Sequence, residues 1–414
     1  MNLALIALRN LGRNRRRTLL SLLVVAAGTA ALILTAGFVR FSFEGLAEAI
    51  IHGGLGHLEV APARDVLGTA SSLERSARPP GWSNWQPLRE TIEGRPHVRA
   101  AGAVIQFAGV ANHGERSASF LGVAVEPDRE RRMGMAVKLR GGQDLPAEIP
   151  PEGDDQVLLG VGLARALGAG PGDSVTLMAA TASGSLDAID VTVRGLFTTG
   201  LQELDGRLLK THVVTAQRLL GTTSVSALVV GLDDAARTQA ARVDLLSLRA
   251  LSGGDFAVQD WQTRAPFYLQ VRALYGGIFV FLGAVVFALV TLSTSNTLLM
   301  SVLERVREFG TLRAIGTSRG QVAALVVLEA LWLGLLGGLI GGGLGLGLTL
   351  LINGLRIRMP PPPGAADPLE LALKSEPSDF AVALAFMVLV LGVASLLPAL
   401  RVVRLRIVEA LSHD

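Results

Sequence analysis

Four runs of this chain are nearly free of charge and long enough to cross a lipid bilayer as helices. Thr18–Val39 gives 22 uncharged residues, about 33 Å at helical rise. Ala273–Leu303 and Phe380–Leu400 hold no charged residue, and Gln321–Leu355 holds only Glu329. Between the second and third runs lies SVLERVREFGTLRAIGTSRGQ, Ser301–Gln321. An arginine-bearing segment between two spans must sit at a membrane face. In it Val302, Val306 and Phe309 recur at helical spacing. Glu304/Arg307 and Arg305/Glu308 are opposite-charge pairs three apart, which favours a helix. Gly310 and Gly316 allow a bend and a stop. Two readings stand: a short interfacial helix that a cytoplasmic partner pushes or pulls, or a plain loop that joins two spans.

The formal charge is +3, and only three of the 38 basic residues are lysines, Lys138, Lys210 and Lys374. A basic balance can signal nucleic acid, but here the arginines flank the apolar runs, which is the positive-inside pattern and argues for no nucleic-acid partner. In MNLALIALRNLGRNRRR, residues 1–17, Leu3, Ile6, Ala7 and Leu11 share one helical face and five arginines follow from Arg9 onward. This reads as an elbow helix lying in the interface. A secretory leader is the rival, but its apolar core usually runs only about 7–15 residues, so an uncleaved first span is favoured. The topology then follows. Spans at 18–39, 273–300, 321–352 and 380–400 leave 40–272 and 353–379 outside, with 1–17, 301–320 and 401–414 inside. Both termini are cytoplasmic, in a multi-pass protein of a bacterial inner membrane.

The outer segment mixes short strands and helices, an α+β pattern. His57–Val60, Val98–Gln106, Ser117–Val125, Gln156–Leu159, Ser174–Met178, Ile189–Leu196 and Phe256–Gln259 read as strands. Gln86–Glu93, Val161–Leu167 and Asp233–Leu251 read as helices, and Phe41–Ile51 as an amphipathic continuation of the first span. Residues 62–85 and the stretch around Gly141-Gly142 read as loops, and Pro171–Asp173 as a turn. Pro360–Pro363 favour stiff polyproline II, and Pro398 kinks or ends the last span. The glycines of Gly334–Leu348 are spaced for close helix packing rather than for cradling phosphate, since no strand precedes them. Glu329 is costly near a bilayer midplane, roughly 2.5–3.5 kcal/mol on insertion scales for Asp-like groups. It reads either as a residue that transmits motion or as an interface-level carboxylate paired with arginine or water.

A search for chemistry returns negatives. There is no cysteine, and the six histidines have no metal-ligand spacing. No nucleophile elbow occurs. A Walker A loop needs lysine after glycine, and the three lysines follow Val137, Leu209 and Leu373. The chain holds no standard phosphate loop, so it reads as a non-catalytic subunit without a cofactor. Any ATP and magnesium would belong to a partner chain.

The segment ER-x-REFGTLRAIGTSRGQ, together with the order of the spans, resembles the coupling segment of the MacB/LolC/FtsX-type (type VII, mechanotransmission) ABC permeases. VLLGVGLARALGAGPGDSVTLM, VRGLFTTGLQELDGRLL and the ending PALRVVRLRIVEAL are similar to the same family. The resemblance implies a four-helix membrane protein with an α+β extracytoplasmic domain: a ferredoxin-like porter subdomain, 41–125 plus 224–270, with a β-rich insertion, 126–223. It implies a cytoplasmic ATPase dimer gripping Glu304, Arg305, Arg307, Glu308, Phe309, Gly310, Leu312, Arg313, Ile315 and Gly316, with Glu329 inside the membrane. It implies a second permease, identical or homologous, within the lipid, and a periplasmic lipoprotein, chaperone or adaptor as further partner. The separate ATPase and the size of the outer domain bring the chain nearest to the LolC/LolE lipoprotein-releasing permeases. MacB-like efflux and FtsX-like signalling to cell-wall hydrolases are the alternatives.

Overall fold

The chain divides into a helical unit, Met1–Glu44 with Gln270–Met359 and Glu370–Asp414, and a sheet unit, Gly45–Leu269 with Pro360–Leu369. The computed structural model describes residues 3–13, 15–63, 80–135, 137–199, 205–252, 255–359 and 369–404. Most of the loop expected at 62–85, the four prolines and the chain ending from 405 onward lie outside the described residues.

In chain order, α1 (Leu3–Leu11) and α2 (Arg15–Ile50) lead through a π-turn, Ile51–Leu55, into β1 (Leu58–Pro62). Helix α3 (Gln86–Glu93) precedes the hairpin of β2 (Val98–His113) and β3 (Arg116–Val125). There follow α4 (Pro127–Arg132), β4 (Lys138–Gly142), β5 (Gln156–Gly160), α5 (Val161–Leu167), β6 (Ser174–Ala180) and β7 (Leu186–Thr198). Next are β8 (Leu208–His212), α6 (Val213–Leu220), β9 (Ala227–Leu232), α7 (Thr238–Ser252) and β10 (Phe256–Asp260). Short α8 (Trp261–Arg264) precedes α9 (Pro266–Glu304), α10 (Val306–Ala314), α11 (Arg319–Gly354), α12 (Pro377–Ala394) and α13 (Leu396–Arg404).

In the sheet unit the strands order as β10-β1-β9-β2-β3-β8-β5-β7-β4, with β6 against β2 and β7. Strand β2 makes this one sheet rather than two. Its first half pairs with β9 and its second half, Gly109–Asn112, with β6. It runs on past the expected end at Gln106 because ten consecutive positions, Val104–His113, pair with β3. The alanines and glycines of that half have little strand preference of their own. Rings supply the missing side-chain contact: Phe107 lies opposite Gly122 and Phe120 opposite Gly109, and the two rings meet edge to face at 5.6 Å. The expected loop at Gly141-Gly142 is instead β4, bulged against β7, with Gly142 at φ +75°. Strands β8 and β9 escape an alternation test; all six residues of β9 are buried, as a strand covered on both faces requires. The core of this unit includes Leu58, Ile105, Phe120, Leu159, Val193 and Val230.

Among the described residues, four helices are long and apolar enough to cross a membrane: Arg15–Leu55 (counting the π-turn), Pro266–Glu304, Arg319–Gly354 and Pro377–Arg404. In the helical unit α11 is central: 44% of its most apolar stretch is buried, against 6% for α9. Its glycines form the contact face. A Cβ on Gly341 would lie 2.7 Å from the Ala26 Cα, and one on Gly337 2.7 Å from Val25. One on Gly345 would press on Ala30 and Ile33, and one on Gly334 on Val388. Helices α2 and α12 therefore approach α11 as closely as backbones allow, which is what small residues permit in an apolar medium. The last span breaks at Ser395, three residues before Pro398. A proline ring clashes with the carbonyl four residues earlier, here Ala394, and so restarts the helix.

Candidate functional site

The arginine-bearing segment folds as α10, set off from α9 by one non-helical residue, Arg305, at φ −107° and ψ +17°. The expected bend at Gly310 is not there; Gly310 is buried within α10. Gly316 does end the segment, with φ +101°, a conformation that favours glycine. Ser318 then caps α11 in a capping box with Gln321.

Helix α10 has two faces. Val306 and Phe309 are buried, Phe309 at 1% exposure. Phe309 packs with Ala7 of α1, Val302, Val322, Leu325, Val326 and Val402, and Leu312 lies against the same cluster. Arg305 and Leu312 are half-buried, as are Glu308 and Arg313. On the other side Arg307, Thr311, Ala314, Ile315 and Gly316 are exposed, Ile315 at 75%. An apolar residue so displayed among charged neighbours is what a contact surface offers. Among the sequence-selected residues, then, Phe309 and Arg305 hold the segment in place and Gly310 is buried, whereas Arg307, Ile315 and Gly316 are presented outward, and Glu304 is exposed too.

The expected pairing of Glu304 with Arg307 gives way to another. Helix α9 ends at Glu304, so the two are not on one helical turn, and Glu304 accepts from Arg17 at 2.6–2.7 Å. The Arg305–Glu308 pair forms, with Nε donating to Oε2 at 3.0 Å. Arg305 Nη1 also donates to Glu329 Oε1 at 2.9 Å, and its guanidinium stands 5.1 Å from the Phe309 ring centre. Asn10 Nδ2 donates to the same Glu329 oxygen at 2.6 Å. Arg13 pairs with Glu308. Burial works against the charge on Glu308, but hydrogen bonds and charge from Arg305 and Arg13 outweigh it and hold the carboxyl below its usual range. Glu329, 6% exposed, is thus the paired carboxylate of the second reading given above. These groups line a polar cavity of about 180 Å³. Sequence spacing finds Glu329 but not Asn10 or Arg17, whose partners lie 319 and 287 residues away. Nearby, Trp332 Nε1 donates to the Ala4 carbonyl at 3.1 Å, fastening α1 to α11.

No group of three or more His, Cys, Asp or Glu side chains suited to a metal exists among the described residues.

Residues 18–248 match the MacB-like periplasmic core domain, and residues 277–407 match the FtsX-like permease C-terminal family. The chain is 28% identical over 354 residues to the lipoprotein-releasing system transmembrane protein LolC of Neisseria meningitidis serogroup B, covering 82% of this chain and 80% of LolC. It is 25% identical over 210 residues to the macrolide export ATP-binding/permease protein MacB of Neisseria gonorrhoeae, covering 49% of this chain and 30% of MacB. The solved periplasmic region of MacB from Actinobacillus actinomycetemcomitans overlays 51% of this chain and 92% of its own, with 17% identity and a TM-score of 0.37.

Proposed function

The chain belongs to the family defined by the MacB-like periplasmic core domain, the type VII ABC transporter permeases, and on that premise we propose that it works as the membrane subunit through which a separate cytoplasmic ATPase dimer does mechanical work outside the membrane. The work is release of lipoproteins from the inner membrane. The observation that carries the reading is the two-faced α10. One side is anchored by Phe309 and Val306, and the other offers Arg307, Thr311, Ala314 and Ile315 at the junction of two candidate spans. A helix fixed on one face and free on the other can receive a push without unfolding. The arginines of the N-terminal segment support a cytoplasmic position for this end by the positive-inside rule, with both termini inside and the sheet unit outside on this reading.

Nucleotide and magnesium sit on the partner, because this chain lacks the lysine of a phosphate loop. A second permease, identical or homologous, completes the complex. Within the sheet unit, the antiparallel run β10-β1-β9-β2 with α3 and α7 as connections supports a ferredoxin-like porter, residues 41–125 and 224–270. Residues 126–223 form the insertion on this reading. The extended match to LolC supports lipoprotein release over efflux with an adaptor or signalling to hydrolases.

The chain has no cysteine, so single cysteines report cleanly. Arg307→Cys and Ile315→Cys, treated with a short crosslinker in native membranes, will capture a P-loop ATPase, and Leu186→Cys in the sheet unit will not. Mass spectrometry of the solubilised complex will return acylated lipoproteins. Complexes that hold together yet contain no ATPase would defeat the proposal; an adaptor in place of lipoproteins would move it to efflux.

A further inference from the structure

The ionic cavity has a feature that simple anchoring does not require: apart from the local Arg305–Glu308 pair, its links cross between elements. It holds three arginines, Arg13, Arg17 and Arg305, and three glutamates, Glu304, Glu308 and Glu329. Arg17 of α2 meets Glu304 at the end of α9. Arg13, just past α1, meets Glu308 of α10. Arg305, the one residue between α9 and α10, reaches both Glu308 of α10 and Glu329 of α11. Asn10 of α1 donates to the Glu329 oxygen that Arg305 also uses. Glu329 therefore joins α1, α11 and the break that orients α10.

Arg305 takes the N-terminal capping position of α10, where a guanidinium, a donor only, can accept from no backbone amide. Its guanidinium is instead spent on the two carboxylates. The Glu329 carboxylate holds the break from α11. A neutral amide in its place leaves Arg305 an acceptor without the opposite charge, so the guanidinium is drawn to Glu308, which moves with α10, and the restraint between the break and α11 is weakened. Burial makes the effect larger, because Arg305 and Glu329 side chains are only 13% and 8% exposed and are little screened.

We propose that Glu329 is a positioning residue for α10: its carboxylate, held between Arg305 and Asn10, fixes the angle at the α9–α10 break and makes α1 part of the force path from α10 into α11. The value of the path for transport rests on the coupling function proposed above, but the angle itself does not.

The test is a distance measurement on the full chain in lipid nanodiscs, without an ATPase. Spin labels go on Thr311→Cys of α10 and Leu350→Cys of α11, both exposed. The otherwise wild-type chain should give one narrow distance distribution. Glu329→Gln should broaden or shift it by a few ångströms, the scale of helix shifts at interfaces. Glu329→Asp should restore most of the narrow component, and the exchange Arg305→Glu with Glu329→Arg should do so in part. Asn10→Ala, which removes one hydrogen bond from a neutral donor, gives the same shift to a smaller degree and serves if Glu329→Gln fails to fold. A Glu329→Gln distribution that superimposes on wild type overturns the proposal, including when the melting temperature falls, since that would be a purely structural role. An unchanged Asn10→Ala distribution overturns the part assigned to α1. These outcomes are separate from the crosslinking of α10 to an ATPase, which can succeed or fail with either.

Discussion

The helical and sheet units solve the burial problem with opposite residues. In the sheet unit large apolar side chains turn inward, with Leu159, Val193, Phe120 and Val230 at or near zero exposure. In the helical unit many of the large apolar side chains turn outward, among them Leu19, Leu20, Phe281 and Leu292 at 65%, 65%, 69% and 70% exposure. Its closest helix contacts fall to the glycines of α11, beside a smaller core that includes Val25, Ile33, Met387 and Leu391. Water is the reason for the first pattern, since hiding apolar surface from it stabilises the fold. In lipid that gain is absent, and close backbone packing replaces it. Charge follows the same division. The sheet unit buries isolated pairs such as Glu130–Lys210 and Arg264–Glu59. The helical unit gathers its buried charge at one end, around Glu329.

The contrast can be tested by substitutions that should matter in one unit's logic and not the other's. The largest effect is expected at the one place where a large side chain anchors the helical unit's charged end. Phe309→Ala should cost about 3–5 kcal/mol by leaving a cavity under α10, seen as a lower thermal midpoint of the detergent-solubilised chain. Next, Gly341→Val should cost about 3 kcal/mol, the upper end for overpacking, because α2 must move away from α11. Its control, Gly343→Val, meets nothing within 4 Å and should leave the midpoint alone. Equal effects at Gly341 and Gly343 would break the packing argument.

A pH experiment addresses the sheet unit alone. His57 is 4% exposed, and its Nδ1 accepts from the Leu232 amide at 3.1 Å. Burial first, then the nearby charges of His52 and Arg99, push it down to about 4. Above pH 6.5 both folded and unfolded states are neutral there and no penalty exists. Below it the unfolded chain takes up a proton that the folded chain refuses, so stability falls until pH 4, by about 3 kcal/mol in total. Urea unfolding followed by tryptophan fluorescence reports mainly on this unit, which holds Trp82, Trp85 and Trp261 but not Trp332. His57→Asn, which keeps an acceptor but no titration, should flatten that slope. The smallest effect is expected at Arg307→Glu: being exposed and without an ion-pair partner among the described residues, it should change the thermal midpoint by no more than about 0.5 kcal/mol equivalent. It should nonetheless abolish ATPase capture. Loss of stability at Arg307, or intact capture, would erase the distinction between the two faces of α10.

Much of this architecture is legible in the residue order. Uncharged length reveals each span, because crossing a bilayer demands about 20 apolar residues whatever the neighbours are. Local spacing reveals the buried stripe of Val302, Val306 and Phe309, and it singles out Glu329 as the lone carboxylate in its run. Glycine at Gly316 foretells a stop because backbone conformation is a local property. What spacing could not supply is every decision made by a distant partner. The second half of β2 is a strand because β3 and β6 pair with it, against weak local preference. Gly310 continues the helix, buried, rather than bending it. Glu304 leaves Arg307 for Arg17, and Glu329 finds Asn10 from the far end of the chain. Local sequence sets which segments can be helix, strand or span, since those depend on neighbours a few residues away. Which charge meets which, and which face of α10 stays open, is decided only when segments hundreds of residues apart are packed together, because electrostatic and steric energies depend on distance in space and not along the chain.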